Sequence, residues 1–365
     1  MTKTINDLNS ATTAVIGDAE LCNDTLTLGM GEFSLCLRSN SVELLDRLRR
    51  YFSHVVAAVD TPTKQVTAIE REAPELGIDF TDWRREPGKT GRKDAYFDIP
   101  AARLIQKVRT GMVFLQSNSQ RIAAGPCLDN DNQVINFINA QYMNWLQQRN
   151  WLICHASGLV LEGRTLAIAG FSSGGKSTLM LRLLDNDQVS YLTNDRLFIR
   201  RQDDGVDTVG IPKLPRINPG TIVHNPKLHA LIPAQQRQKL LALPAEELWH
   251  LEEKYDVHVE QVYGANRITQ TAPLGAFLVL NWRRDSDQKL ELKKVKLGTR
   301  QELLSAIMKS PGPFYQYADG GFFQDTTELN SQEYLSVLEN IPVYEATGRT
   351  DFDALTSICK HDLMN

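Results

Sequence analysis

Residues 166–184 read LAIAGFSSGGKSTLMLRLL, and this stretch decides the fold that we expect. An apolar run at residues 166–169, typical of a buried strand, leads into a glycine-rich loop and then into leucines and a methionine at helical spacing. The loop, residues 170–177, carries the pattern G-x-x-x-x-G-K-S, which is the P-loop or Walker A motif. The sequence therefore predicts a strand, a phosphate-binding loop and a helix in succession.

Each residue type in this motif has a chemical reason. Glycines have no Cβ, so successive backbone N–H groups can curl around phosphate oxygens, and the helix that follows directs its positive dipole end at the same group. Lys176 would bring a mobile charge to the β- and γ-phosphates, and the Ser177 hydroxyl would bind Mg²⁺. We expect the nucleotide to contact Gly170, Ser172, Ser173, Gly174, Gly175, Lys176, Ser177 and Thr178.

A second acidic position follows soon after the loop. Residues 189–201, VSYLTNDRLFIRR, form a β-type run with Asn194 and Asp195 at its centre. Asp195 would bind Mg²⁺ with Ser177 and share in activating an acceptor hydroxyl; the alternative is an Asp that caps a turn. Asn194 cannot accept a proton, so it could only orient an acceptor or a water.

Four further positions are candidates. His155 ends an apolar strand and could bind a phosphate oxygen or act as a base, or it could be a satisfied core residue. Lys213 and Arg216 lie in GIPKLPRINPGT, residues 210–221, which predicts a stiff loop presenting two cations rather than a helix or strand. Lys254 lies in a charged run that is either part of an acceptor site or a solvated face.

The composition and the absence of two motifs argue against several classes of protein. The net charge of −4 gives no basic excess for nucleic acid, and no apolar run is long enough to cross a membrane. We therefore expect neither nucleic acid nor membrane as a partner, and a cytoplasmic location. The LSGGQ signature of transporter ATPases and the N-K-x-D motif of regulatory GTPases are both absent.

At 365 residues the chain predicts two domains, with a boundary near residue 150. The first, residues 1–149, is expected to be α+β: a strand pair at residues 24–38 and a helix capped by Ser41, with Val42, Leu45, Leu48 and Phe52 on its buried face. A longer helix is expected at residues 133–148. The second domain, residues 150–365, is the P-loop α/β domain, with additional antiparallel strands after residue 205 and a buried strand at residues 274–282.

The motif and its surroundings resemble a known family. A strand ending in His155, the P-loop, one helix and a strand with Asp195 resemble the C-terminal domain of HPr kinase/phosphorylase, which is related in fold to phosphoenolpyruvate carboxykinase. Residues 152–199 and 210–221 look most like the group called HPr-kinase-related kinases, type B; the resemblance covers roughly residues 110–365. It implies a mixed-sheet kinase fold, ATP and Mg²⁺ as cofactors, and self-association into a homo-oligomer.

Matched position by position, the resemblance makes His155 the family's active-site His and Asp195 the second acid of its Asp-Asp pair. It implies γ-phosphoryl transfer from ATP to a hydroxyl, with Lys176, Arg216, Asp195 and His155 as catalytic residues. Two positions depart from the family's pattern. Thr178 stands where HPr kinases have a metal-binding Glu, and Asn194 replaces the first acid of the Asp-Asp pair. These departures put HPr itself as the substrate, and the phosphorylase reaction, in question.

Two other functions stay open. A P-loop ATPase or nucleotide-binding switch that acts with a partner protein would keep the loop without the phosphoryl transfer. A carboxykinase-like enzyme would need a second metal site, and the sequence shows no His/Lys/Asp cluster for one. For the kinase, the acceptor is either a Ser of a protein or peptide, or a small molecule.

Overall fold

A computed structural model describes residues 5–85, 90–171, 174–251 and 253–363. The chain divides into two compact units. The first joins Met1–Asn150 to Ser310–Glu328, and the second joins Trp151–Lys309 to Leu329–Asn365. The sequence placed a boundary at the same region, near residue 150, but assigned everything after it to one domain. The structure instead returns residues 310–328 to the first unit.

In its described residues, the first unit is a mixed sheet with three α-helices. Its strands are ordered β1-β2-β3-β8-β7-β6-β5-β4; β3 is parallel to β2 and β8, and the other neighbours are antiparallel. The elements in chain order are α1 (Leu8–Ile16), β1 (Thr25–Met30), β2 (Phe33–Ser39), α2 (Val42–Tyr51), β3 (Lys64–Glu70), β4 (Thr81–Asp82), β5 (Asp94–Ile99), β6 (Ala102–Lys107), β7 (Val113–Ser117), β8 (Arg121–Gly125) and α3 (Asp131–Gln147), with a 3₁₀ turn at Ser53–Val55.

Most of the elements that the sequence predicts for the first unit are present in the structure. The strand pair is the antiparallel hairpin of β1 and β2, and the longer helix is α3. The Ser41 hydroxyl accepts a hydrogen bond from the Leu44 N–H at 3.2 Å, which confirms it as the N-cap of α2. Val42 is 52% exposed, so its predicted place on the buried face is wrong; the residue directly after the cap faces solvent, and Leu44 is buried.

Arg103 is one of the residues that hold residues 310–328 against the first unit. Its side chain on β6 is fully buried, and its guanidinium binds both carboxylate oxygens of Asp98 at 2.6 and 2.8 Å. The remaining nitrogen donates to the Phe323 backbone oxygen at 2.8 Å, and the charge lies 4.7 Å from the Phe322 ring centre. A buried guanidinium needs all of these partners, so it fixes the inserted segment against the sheet.

The second unit contains the predicted strand, loop and helix within a larger sheet. Its elements are β9 (Leu152–Cys154), β10 (Ala156–Leu161), β11 (Arg164–Gly170), α4 (Lys176–Leu184), β12 (Ser190–Thr193), β13 (Leu197–Gln202), β14 (Gly205–Gly210), β15 (Arg216–Ile217), α5 (Pro219–Val223), α6 (Ala234–Leu241), α7 (Ala245–His250), β16 (Tyr255–Asp256), α8 (Val259–Tyr263), β17 (Thr271–Leu280), β18 (Glu291–Val295), α9 (Leu304–Ile307), α10 (Ser331–Leu338), β19 (Val343–Thr347) and α11 (Phe352–Ile358). Short 3₁₀ turns lie at Pro226–Leu231 and Gln301–Leu303, and a π turn lies at Cys359–Leu363. Across the described ranges, no helix is both long and apolar enough to cross a bilayer.

The sheet of the second unit is mixed, as expected for this α/β class. The order is β12-β10-β11-β17-β14-β13-β9, with β19 also paired to β17 and β18 to β19. Strands β11, β17 and β19 are parallel neighbours, whereas the other pairs are antiparallel. The buried strand expected at residues 274–282 is β17, which ends two residues earlier. The carboxyl ends of the three parallel strands meet at the edge where the glycine-rich loop begins.

Candidate active site

The glycine-rich loop leaves β11 at Gly170 and enters α4 at Lys176. A Cβ on Gly170 would lie 2.9 Å from the Cβ of Leu280, on the neighbouring parallel strand β17. Gly175 has a φ of +81°, and a Cβ there would lie 2.5 Å from the Phe352 ring. Backbone conformation and lack of space therefore require glycine at the two ends of this loop.

Lys176 carries its ammonium back over the loop. Its Nζ donates to the Gly170 backbone oxygen at 3.3 Å. Burial lowers the pKa of Lys176, the Asp195 carboxylate opposes this shift, and the charge of Lys309 adds to it. The charge of this lysine thus sits in a partly dehydrated position within the field of Asp195, where a phosphate oxygen would stabilise it.

The remaining predicted contacts of the loop divide into three cases. Ser177 lies half-buried in the first turn of α4. Thr178 shares a hydrogen bond with the Thr221 hydroxyl of α5, with 2.9 Å between the oxygens, so its side chain is already engaged. Ser172 and Ser173 lie outside the described residues.

Trp282 is a residue of this site that sequence reasoning missed, because the run that it ends, residues 274–282, was interpreted only as a core strand. Its indole Nε1 donates to the Gly174 backbone oxygen at 2.8 Å, and its ring meets Phe352 edge-on at 5.0 Å between centres. The C=O and N–H of a trans peptide unit point in opposite directions. Holding the Gly174 carbonyl therefore also fixes the direction of the Gly175 N–H, one of the donors that the motif offers to phosphate.

Replacing Trp282 by Phe is expected to weaken nucleotide binding. The ring can still pack on Phe352, but the hydrogen bond to Gly174 is lost; such a bond contributes about 1 kcal/mol, or about fivefold in affinity. Calorimetry with Mg²⁺-ATP measures the effect, and Trp151→Phe, another buried Trp of this unit, is the matched control. Equal affinities in the two variants would show that the indole N–H does not position the loop.

The predicted strand through Asn194 and Asp195 is wrong in one respect: residues 194–196 form a bend between β12 and β13. The chain must turn here because β12 pairs with β10, whereas β13 pairs with β9 and β14. The Ser157 hydroxyl donates to the Asn194 backbone oxygen at 2.6 Å, and the Thr193 hydroxyl donates to the Arg196 backbone oxygen at 3.0 Å. Side chains on both sides therefore fix this bend.

The carboxylate of Asp195 is flanked by two basic side chains. His155 Nε2 lies 3.3 Å from one carboxylate oxygen, and Arg196 Nε lies 3.3 Å from the other. Burial by itself would raise the pKa of Asp195, but Arg196, His155 and Lys213 outweigh burial and hold the pKa well below its usual range. Asp195 therefore stays ionised at neutral pH. This charge state suits a ligand for cations and does not suit a general base, which must take up a proton.

His155 is placed by backbone pairing next to this carboxylate. It follows β9, and its backbone N–H donates to the Ile307 backbone oxygen at 2.7 Å. Its side chain is 31% exposed and reaches Asp195, so it is not enclosed among apolar residues. The structure thus brings together two of the residues that the sequence singled out separately.

The segment around Arg216 differs from the stiff loop that the sequence predicted. Arg216 lies in β15, which pairs with β16, and its Nε lies 3.1 Å from an Asp256 carboxylate oxygen. Pro219 begins α5, where its fixed φ and missing N–H are favourable. Lys213 remains in an irregular stretch, as predicted, and acts on the charge of Asp195. Lys254 is exposed just before β16, and its role stays a prediction.

Ser177 and Asp195 were expected to hold Mg²⁺. In the described part of the chain, no three His, Cys, Asp or Glu side chains come together in a metal-binding group. Mg²⁺ in phosphoryl-transfer sites usually keeps several waters and takes only one or two protein ligands besides the substrate phosphates. An ionised carboxylate that is 39% exposed and a serine hydroxyl are donors of the right chemistry for that mode of binding.

Comparison with known proteins gives only distant structural likeness. No protein-family model matches the chain, and no curated protein matches it. Among solved structures, it is similar to the HPr(Ser) kinase/phosphatase from Coxiella burnetii, with 10% sequence identity and a TM-score of 0.29. The match covers 57% of this chain and 88% of that chain. It concerns the fold only, at a distant level.

Proposed function

We propose that this chain is an ATP-dependent kinase that transfers the γ-phosphoryl group to a hydroxyl. The observation that carries the proposal is the glycine-rich loop between β11 and α4, over which the Lys176 ammonium donates to the Gly170 backbone oxygen at 3.3 Å. Asp195, at the bend after β12, acts on the charge of Lys176, at the start of α4. A phosphate-binding loop with a fixed anion beside it is the arrangement that metal-assisted phosphoryl transfer requires.

Each of the candidate residues would have a separate role in the reaction. Ser177 and Asp195 would hold Mg²⁺, which when bound neutralises charge on the phosphates. Lys176 would bind the β- and γ-phosphates, and Arg216 would stabilise charge on the transferred group. His155 is better suited than Asp195 to take the acceptor proton, because the low pKa of Asp195 makes it a weak base.

ATP as the nucleotide, Mg²⁺ as the metal, a cytoplasmic location and a homo-oligomeric state are proposals that rest on the resemblance to HPr-kinase-related kinases. The acceptor hydroxyl belongs to a Ser of a protein or peptide, or to a small molecule. The net charge of −4 supports neither nucleic acid nor an anionic membrane surface as a partner.

A second candidate function is a P-loop ATPase or nucleotide switch that works with a partner protein. Two observations favour it. Thr178 stands where the resemblance expects a metal-binding Glu, and its hydroxyl is bonded to Thr221. Asn194 cannot serve as an acid or a base, and the Ser157 hydroxyl lies close to its side-chain oxygen, at 3.4 Å.

ADP release separates the two functions. The protein is incubated with Mg²⁺-ATP, with and without clarified lysate of the source cells as an acceptor pool, and Lys176→Ala serves as the blank. A kinase releases ADP at background level until lysate is added, and a new phosphorylated species then appears. Steady ADP release without lysate, at a rate that a partner protein changes and with no phosphorylated product, would instead support the ATPase or nucleotide switch.

A further inference from the structure

The glycine-rich loop has different residues on its two sides. Strands β10 and β12 lie on one side of β11, and β17 lies on the other. Asp195 follows β12, whereas Arg284 follows β17. The end of β17 lies at the start of the loop, because Leu280 pairs with Gly170. The proposed kinase has the γ-phosphate on the Asp195 side, so the base, at the opposite end of the nucleotide, is expected on the β17 side.

Arg284 is held near the loop through the chain that follows β17. Two residues before it, the Trp282 indole donates to the Gly174 backbone oxygen of the loop at 2.8 Å. The neighbouring Arg283 forms an ion pair at 3.0 Å, whereas Arg284 has no carboxylate partner among the residues that the structure describes. Its guanidinium lies over the ring of Trp249 instead. A cation–π contact, rather than an ion pair, therefore holds this exposed arginine.

Trp249 reaches the same place from the helices that pack beside α4. The Thr178 hydroxyl, in the first turn of α4, shares a hydrogen bond with a hydroxyl of α5. Helix α7 packs on α5, where a Cβ on Gly220 would lie 3.5 Å from the Leu248 backbone oxygen. Trp249 is the next residue of α7 and is half-buried. Its contact with Arg284 therefore joins α7 to the chain after β17, beside the loop.

The two side chains form a surface on which a flat ring can stack. A guanidinium is planar and delocalised, and it stacks on aromatic rings. Every nucleobase has a π-face, and stacking on it contributes to affinity without hydrogen bonds to the edge of the base. Because Arg284 is exposed, a base can approach its guanidinium from solvent while the Trp249 ring lies beneath it.

We infer that Trp249 and Arg284 bind the base of the nucleotide, and that this base is a purine. The base would stack on the Arg284 guanidinium, which the Trp249 ring holds in place. A purine has two fused rings, so it buries more apolar area on this surface than the single ring of a pyrimidine. The inference rests on the proposed ATP-dependent kinase and adds the site that binds the base.

The test compares ATP with inorganic tripolyphosphate, which carries the same phosphates without ribose or base. Each is titrated by calorimetry in the presence of Mg²⁺, and CTP is titrated as the pyrimidine nucleotide. Wild type should bind ATP at least about fivefold more tightly than tripolyphosphate, and more tightly than CTP. In Trp249→Leu the affinity for ATP should fall at least about fivefold, because a stacking contact is lost. The affinity for tripolyphosphate should stay at the wild-type value, which also shows that the variant is folded.

Two arginine variants make the result specific. Arg284→Lys keeps the charge but loses the planar group, so it should weaken ATP binding as Trp249→Leu does and leave tripolyphosphate binding unchanged. Arg283→Lys, the same change at a neighbouring residue with a 75% exposed side chain, should bind both ligands as the wild type does.

Several results would overturn the inference. One is wild type that binds tripolyphosphate or CTP as tightly as ATP. Another is an affinity for ATP that is unchanged in Trp249→Leu or Arg284→Lys, or that falls only in proportion to the affinity for tripolyphosphate. Failure of wild type to bind either ATP or tripolyphosphate would instead contradict the phosphate-binding loop, and with it the proposed kinase.

Discussion

Asp195→Asn is expected to reduce phosphoryl transfer by about 100-fold or more, the usual result of removing a group that stabilises charge in the transition state. The substitution keeps the shape of the side chain but removes the anion that lies between His155 and Arg196. Nucleotide affinity should change much less than turnover, while the Mg²⁺ concentration for half-maximal rate should rise. Initial rates of ADP release with the lysate acceptor pool, at several Mg²⁺ concentrations, measure both effects.

The matched control is Asp207→Asn, the same change on β14 of the same unit, where the carboxylate accepts a hydrogen bond from the Gln202 side chain. It should turn over ATP at the wild-type rate. If Asp195→Asn and Asp207→Asn have equal rates and equal Mg²⁺ dependence, Asp195 is a turn residue and has no part in the reaction.

Asp195 also gives the stability of the protein a defined pH dependence. Its folded-state pKa lies below the unfolded value of about 3.9, so the ionised form stabilises the fold above that pH. This contribution is lost as the pH falls through the folded-state pKa. The stabilisation of wild type relative to Asp195→Asn should therefore persist from neutral pH to about pH 5 and shrink below about pH 4.

Arg267→Met is expected to cause the largest loss of stability, about 3–5 kcal/mol, because it leaves several buried carbonyls without donors. The guanidinium is nearly enclosed and donates to the backbone oxygens of Leu184, Asn186, Val189 and Tyr263 at 2.7 to 2.9 Å. Two of these oxygens lie at the end of α4, the helix that begins at the P-loop. The melting temperature should fall by about 10 °C for a unit of this size.

Arg267→Lys should restore little of this stability, because one ammonium cannot reach four carbonyls in different directions. Arg283→Met, which changes an arginine with a 75% exposed side chain, should leave the melting temperature within about 1 °C, as surface substitutions usually do. A melting curve of Arg267→Met that overlays the wild type would show that water, rather than this guanidinium, satisfies the end of α4.

The parts of the site that could be predicted are those with a local signal. Gly170, Gly175 and Lys176 follow a fixed spacing that a strand, a loop and a helix impose, and the structure has those elements in those places. Ser41 could be identified as a helix cap because its hydroxyl bonds an amide three residues away. These features depend on neighbours along the chain, so one sequence is enough to find them.

The parts that could not be predicted depend on contacts between distant segments. Trp282 follows the loop by more than a hundred residues and meets it only because β17 pairs in parallel with β11. Arg216 joins a strand because its partner, Asp256, comes from a separate turn of the chain. Residues 310–328 return to the first unit through contacts with residues far away along the chain, such as those of Arg103 with Phe323 and of Asn144 with Phe314. No period or motif in the sequence encodes these pairings.

Calorimetric titration with Mg²⁺-ATP tests most directly whether residues 170–177 bind the phosphates of a nucleotide. Wild type is compared with Lys176→Ala, and with Lys227→Ala as a control, whose ammonium bonds the Asp185 backbone oxygen at the end of α4. We predict saturable binding to wild type and to the control, and affinity at least about tenfold weaker in Lys176→Ala, because a charged contact to phosphate is lost. Equal affinity in all three proteins would contradict the phosphate-binding loop and the kinase built on it.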